Sequence, residues 1–245
     1  MNKAKLSMAT CLIGIFASMP LIAEEQTSEP EAKSNWKATA ELGFVKASGN
    51  TDTQTLNAKL KASTAYDSWK HGVSFETLSS SSNDVRSAEK YVAQGKSDYL
   101  IDDRTYAFGL LSWEKDNFDG YDYQATAAVG LGYKVIQESD MELSFELAPG
   151  YRVSEFESGN NEEDGIIRAA ENFSWDISKT ATFDQFLNTE AGESNTITRF
   201  GVSLTSQIAD ALSMKVGYNL KHSSDVAVDK DKTDTETSVT LVYKL

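Results

Sequence analysis

From Trp36 onward, apolar and polar residues take turns along the chain. Trp36, Ala38, Ala40, Leu42 and Phe44 fall on one side of an extended backbone, with Lys37, Thr39, Glu41 and Gly43 on the other. Side chains of a strand point alternately to two faces, so this spacing predicts a strand with one apolar and one polar face. The pattern returns at Leu56, Ala58, Leu60, Ala62 and Tyr66, and again at Trp69, His71, Val73 and Phe75. Tyr91, Ala93, Tyr99 and Ile101 carry a weaker fourth apolar face, and Tyr106, Phe108 and Leu110 a fifth. The sixth runs from Tyr123 to Val135 and the seventh from Met141 to Val153, both at odd positions. Ile167 to Ile177, Phe183 with Leu187, Phe200 to Ile208, Leu212 to Leu220 and the C-terminal stretch continue the series. Twelve segments are predicted, and none contains the long apolar run of a membrane helix.

The connections between segments differ by side. "DSW", "DDR", "QESD", "SKT" and "ADA" are short, whereas "SGNTD", "SSSSNDVRSA", "KDNFDG", "EFESGNNEEDG", "GESN" and "SSDVAVDKDKTD" are mostly longer and polar. An even number of strands with tight turns at one end and longer loops at the other predicts an all-β, transmembrane, antiparallel up-and-down β-barrel of twelve strands. Both termini then fall on the short-turn side, which in a bacterial outer membrane is the periplasm.

Alternation does not say which face points outward. A soluble barrel would turn its apolar face inward and hold an apolar ligand there. Three features favour the inverted arrangement. Aromatic residues of the apolar face gather near the strand ends: Trp36, Tyr66, Trp69, Tyr99, Tyr106, Tyr133, Trp175, Phe183 and Tyr243 at one end, Phe44, Tyr91, Tyr123 and Tyr218 at the other. Ringed around a barrel, they form the two interfacial girdles expected at membrane boundaries. The alternation also runs to the last residue, through Val239, Leu241, Tyr243 and Leu245. Chain ends usually fray, but a barrel in hydrocarbon must pair its last strand with its first or leave backbone groups unsatisfied. These four residues also resemble the C-terminal signal read by the barrel-assembly machinery, with Leu245 in place of the commoner aromatic.

The third feature lies at the other terminus. Residues 1–23 begin with Lys3 and Lys5, continue through an apolar stretch and end in small residues, the pattern of a secretory signal peptide. Residues 24–35 read as a polar periplasmic leader and 36–245 as the barrel. The single cysteine, Cys11, lies within the signal segment, so disulfides and thiolate sites are excluded from the mature chain. The formal net charge of −14 becomes more negative once Lys3 and Lys5 are removed. Nucleic acid is therefore not an expected partner, because phosphate binding is chiefly electrostatic. The expected partners are outer-membrane lipid, lipopolysaccharide and the assembly machinery.

The stretches "LGFVKASGNTDTQTLN" and "ELAPGYRV", within the twelve-strand layout, resemble the domain of unknown function 481 family. The resemblance covers about residues 36–245 and implies an outer-membrane barrel of Gram-negative bacteria with a link to salt or osmotic response. It implies no catalytic residues.

Two classes of side chain carry candidate chemistry. The polar face holds Lys59, Lys61, Lys96, Lys134, Glu142, Glu146, Arg152, Arg168, Asp184, Glu190, Arg199 and Lys215, which would line a narrow water-filled pore or neutralise one another as a plug. Strand number leaves both open, since twelve strands enclose more space than the eight whose side chains just fill the interior. The second class is histidine. His71 beside Trp69 reads as an interfacial residue, and His222 lies on the apolar face near the loop side, where a lipid-modifying enzyme would hold its base. Ser223 points to the opposite face, so the adjacent pair is not a catalytic dyad. The expected protein is a non-enzymatic barrel, either pore or structural, with no cofactor or metal; the alternative is a lipid-modifying enzyme using His222. Asp229, Asp231 and Asp234 only loosely follow a calcium loop, without its full spacing. Two residues misfit: Glu171 on the lipid face predicts a bulge or a protein contact there, and Pro149, which has no ladder donor, predicts a bulge.

Overall fold

The computed structural model describes residues 36–47, 53–82, 85–116, 121–156, 159–226 and 231–245. The signal peptide, the leader and Asp229 lie outside the described residues. Alternation is realised as twelve strands: β1 (Lys37–Ala47), β2 (Thr53–Tyr66), β3 (Trp69–Ser82) and β4 (Val85–Leu100). Next come β5 (Thr105–Asp116), β6 (Tyr121–Gln137), β7 (Met141–Phe156) and β8 (Asn161–Ser178). The series ends with β9 (Ala181–Gly192), β10 (Thr196–Gln207), β11 (Leu212–Ser223) and β12 (Thr233–Lys244). Each strand pairs antiparallel with its neighbours in sequence, and β12 returns to β1 to close the ring.

The closing seam joins Thr39 to Lys244, Ala40 to Tyr243, Glu41 to Val242 and Leu42 to Leu241. Beyond it the Leu245 N–H donates to the Ala38 carbonyl at 3.0 Å. The final strand is thus held to its last amide, as closure requires.

The barrel is apolar outside and charged inside. Leu42, Phe44, Val129 and Leu147 are 60% or more exposed, while Glu146, Arg152, Arg168 and Glu190 are 5% exposed or less. In a soluble domain charged residues are the ones that stay at the surface, so the water-soluble barrel considered above is overturned. An apolar outer wall is stable only against hydrocarbon. Strands of 16 to 18 residues in β4, β7 and β8 exceed the about 9–11 needed to cross a bilayer, so the wall continues past the membrane. For the same reason the expected loop "SSSSNDVRSA" is mostly strand, with only residues 83–84 between β3 and β4.

Strand β5 corrects one expectation. Tyr106, Phe108 and Leu110 face inward at 5%, 2% and 3% exposure, and Tyr106 is not part of the girdle. Leu111 and Trp113 take the outer face instead. Both faces of "YAFGLLSW" carry apolar residues, so alternation alone left the parity free. What fixes it is packing: Tyr106, Phe108 and Leu110 form an interior cluster with Ala128 and Ala148. Above it the Lys96 ammonium sits 5.2 Å from the Tyr106 ring centre and 4.9 Å from that of Phe108.

The two misfits also resolve without bulges. Pro149 opposes Ile167 with no register shift in the β7–β8 ladder, and pairing to β6 skips from Ala128–Gly150 to Leu131–Leu147 with the register kept. Glu171 opposes Phe145 and Leu187 in unbroken ladders and accepts a 2.6 Å hydrogen bond from the Gln185 amide on the same outer face.

The turn end carries the aromatic belt in detail. Trp69 stacks on His71 at 5.6 Å and meets Tyr99 at 5.0 Å, while His71 hydrogen-bonds Ser97 and Tyr66. Asp67 adopts a left-handed φ of 49° in the two-residue β2–β3 turn, a conformation Asp tolerates better than most residues. Asp102 organises the β4–β5 turn by accepting from the N–H groups of Arg104 and Thr105 at 2.8 and 2.7 Å.

Candidate functional site: the charged lumen

Period-two geometry sends every second residue inward, and in this barrel those residues are charged or polar over most of the circumference. A charge inside the wall is costly unless paired. Among the described residues the lumen answers that requirement with ion pairs, and three clusters hold the most deeply buried of them.

The first is centred on Glu114 of β5. Its carboxylate receives Lys221 of β11 at 2.8 Å, Arg199 of β10 at 2.9 Å and Lys90 of β4 at 3.3 Å. In a ring of twelve, β5 and β11 are diametrically opposed, as are β4 and β10. A round barrel of twelve strands spaced about 4.8 Å apart and tilted about 40° is about 24 Å across, whereas an extended Glu–Lys pair in contact at 2.8 Å spans about 13 Å. The wall is therefore oval at this level, and opposite sides are tied together through the lumen.

The second cluster lies around Glu146 of β7. Lys96 of β4 reaches it at 2.5 Å, Arg168 of β8 at 2.9 Å, and the Tyr106 hydroxyl donates to it at 2.9 Å. The third is built on Arg152, one of the two largest fully buried side chains. Its guanidinium pairs with Asp164 at 3.0 Å, donates to the Asn195 carbonyl at 2.5 Å and lies 3.9 Å from Glu190. Asp164 in turn accepts from the Ser194 N–H and hydroxyl, so the β9–β10 connection is drawn onto the barrel mouth. Glu190 joins the clusters through Arg199 at 3.7 Å.

The remaining pore-lining candidates occupy the turn-side half. Lys59 pairs with Glu76 at 2.5 Å, and Lys61 and Lys215 share Glu41 at 3.4 and 3.1 Å. Lys134 is 3.9 Å from Glu142, and Asp184 accepts from the Ser174 hydroxyl at 2.8 Å. Most of these groups line a cavity of about 340 Å³. The twelve residues singled out from the sequence thus share the inner wall but separate into a tightly paired zone and an open one.

His222 lies on the outer wall, where its Nδ1 is 2.8 Å from the Thr233 hydroxyl, and Ser223 is buried on the other face. Of the residues that tie the lumen together, Glu114, Lys90 and Lys221 are not among those singled out by spacing, and Asp164 falls within the expected loop "EFESGNNEEDG". Periodicity gives a residue its face but not its partner across the ring.

Residues 40–245 match the family described as "Protein of unknown function, DUF481". The chain belongs to that family. A DUF481 relative, the Escherichia coli (strain K12) protein YdiY, is 27% identical over 243 residues, covering 95% of this chain and 94% of its own. Among solved structures, the NanC porin superposes with a TM-score of 0.52 at 12% identity, over 85% of this chain and all of its own. The KdgM porin gives a TM-score of 0.47 at the same identity, over 86% of this chain and 99% of its own. At such identity the likeness to NanC concerns the fold alone: this DUF481 chain has the fold of an outer-membrane β-barrel of the porin kind.

Proposed function

We propose that this protein is a passive, non-enzymatic outer-membrane barrel whose lumen is closed at rest by ion pairs, with both termini in the periplasm. The carrying observation is the Glu114 cluster, in which one carboxylate holds cations from three strands, one of them diametrically opposite and one beside that. A free-diffusion pore needs a water-filled constriction lined by charges that face solvent. Here the charges at the narrow level face each other. Passage of a solute along the axis requires Glu114 to part from Lys221 and Arg199. A barrel that adds wall without adding permeability suits the salt-linked role implied by the family resemblance.

Conductance in planar bilayers tests the reading. The refolded wild type should show little current, and the triple variant Glu114→Ala, Arg199→Ser, Lys221→Ser should show steady channels, because it removes the bridge without stranding its main partners. A large steady conductance in the wild type would overturn the closed lumen. The rival lipid-modifying enzyme predicts hydrolase or acyltransferase activity on phospholipid vesicles that His222→Ala abolishes. A threonine as the hydrogen-bonded neighbour of His222 supports the passive reading, since threonine is a poor nucleophile without further activation.

A further inference from the structure

Glu171 stands mid-strand on the outer face of β8, the face that meets hydrocarbon. Phe173 and Trp175 follow it toward the turns, and Ala169 and Ile167 toward the loops. With strands tilted about 40°, Glu171 lies about 10 Å above the Trp175 level, well inside an apolar band about 25 Å tall. Ionisable side chains at such depth are costly, and where they persist they pair with other polar groups. Among the described residues Glu171 has one polar partner, the Gln185 amide at 2.6 Å. That bond uses one of the two amide N–H groups and one of the two carboxyl oxygens. The second N–H, the Gln185 carbonyl and the other Glu171 oxygen are left over, on two half-buried side chains that reach the surface of the wall. An acyl chain offers them neither donor nor acceptor.

Register fixes the relative depth of the two groups. Gln185 is the direct neighbour of Phe173, and Leu187 that of Glu171. Rows of direct neighbours climb toward the loops from each strand to the next. The row through Met141, Trp175, Phe183, Leu204, Val216 and Val239 starts at the turn end of β7 and reaches the middle of β12. Each step raises the row by about 3 Å, so Gln185, one strand over and two residues down, lies within about 2 Å of the depth of Glu171. Carboxyl and amide stand side by side at one level of the bilayer.

We propose that the outer face of β8 and β9 is the contact surface of a symmetric dimer with a second copy of this chain. Copies inserted in the same sense are related by a two-fold axis along the membrane normal, and here it passes between Glu171 and Gln185. Across such an axis each residue meets the other type. The second N–H of Gln185 donates to Glu171 of the partner subunit, and Glu171 accepts from Gln185 of the partner subunit. The four side chains close a ring in which carboxyls and amides alternate, and each carboxyl accepts from two amides. A second copy supplies both donor and acceptor at the one depth where both are wanted, which neither lipid nor an apolar wall does. Leu187 and Phe173 fall on the axis, above and below the ring, so each meets its own counterpart. The proposal concerns the outside of the wall and holds whether or not the lumen conducts.

The test is cysteine cross-linking in outer-membrane fractions of cells that make the full chain. Leu187→Cys, at a position 40% exposed on the outer face, should yield a disulfide-linked homodimer on oxidation with copper phenanthroline. Leu60→Cys is the control. It faces outward on β2, opposite β8 in the ring, and stands six residues from the turn end of its strand, as Leu187 does in β9. The control should stay monomeric. Glu171→Leu, combined with Leu187→Cys, should lower the dimer yield about ten-fold at unchanged heat-modifiable mobility, because leucine suits a lipid-facing wall and the ring is lost. Gln185→Leu removes the same ring and decides the matter where Glu171→Leu fails to assemble. Leu187→Cys that links no better than the control overturns the dimer. A cross-link to a band of another mass overturns the second copy as occupant, and a homodimer indifferent to loss of the ring overturns the polar pair as its cause.

Discussion

Glu114 and Lys221 stand on strands six apart in a ring of twelve, yet their charged atoms are 2.8 Å from each other. Each is less than a tenth exposed. This pair, with Arg199 beside it, makes the lumen a load-carrying part of the fold and not merely its inside. Glu114→Ala alone should destabilise the barrel by about 3–5 kcal/mol, since it leaves the buried Lys221 charged beside the partly buried Arg199 without the carboxylate that held both. The triple variant described above should recover most of that loss. Urea unfolding in detergent micelles, followed by tryptophan emission, measures both.

Arg152→Ala should be as costly, about 3–5 kcal/mol, by stranding Asp164 beside Glu190. It should also loosen the β9–β10 connection, because the Asn195 carbonyl keeps only the Gly192 N–H of its two donors. Faster proteolysis at residues 193–195 in intact cells reports the second effect; unchanged cleavage would refute the latch.

Tyr243 to Leu245 should be indispensable for assembly. Deleting them removes two of the four paired positions of the seam and the terminal bond from Leu245 to Ala38, leaving several backbone groups open to hydrocarbon. No heat-modifiable, protease-resistant form should appear in outer-membrane fractions. Leu245→Phe should assemble at least as well as the wild type, since the side chain is 73% exposed and a ring is favoured at the interface.

Gly130 should tolerate no side chain. A Cβ there would collide with the Leu147 carbonyl oxygen and lie 2.5 Å from the Ala148 Cβ, both on the adjacent strand β7 and unable to swing away. Gly130→Ala should cost about 1–3 kcal/mol by overpacking, whereas Gly109→Ala, which meets nothing within 4 Å, should be nearly neutral. Paired urea midpoints decide.

Asp102 should make the β4–β5 turn acid-sensitive. The backbone N–H groups of Arg104 and Thr105 favour its carboxylate and hold its pKa below the usual 3.8. A depressed folded pKa stabilises the turn fully above the ordinary Asp value and is lost as pH falls through the folded one. NMR titration of the Asp102 carboxyl carbon should show a midpoint below 3.8, and a midpoint at or above it would remove the cap.

Residue spacing made the barrel legible because its two faces meet opposite solvents. At β12, Val239, Leu241 and Tyr243 are about half exposed while Thr240 and Val242 are buried, as alternation requires. It failed at β5, where the interior itself is apolar around Phe108 and both parities look alike. The lumen was legible as a set of charges but not as a circuit. Lys59 with Glu76 joins adjacent strands and follows from register, but Lys221 with Glu114 depends on the section being oval, which no local pattern encodes.

The seam between β1 and β12 pairs four positions, while β1 and β2 share eleven. Adjacent ladders elsewhere in the ring are likewise joined by a covalent turn; this one has none. A cantilever pulling on the carboxyl end would therefore meet one brief peak of resistance as the ring splits into an open sheet. After that β12 would peel from β11 residue by residue, and each later hairpin would yield in reverse order of synthesis.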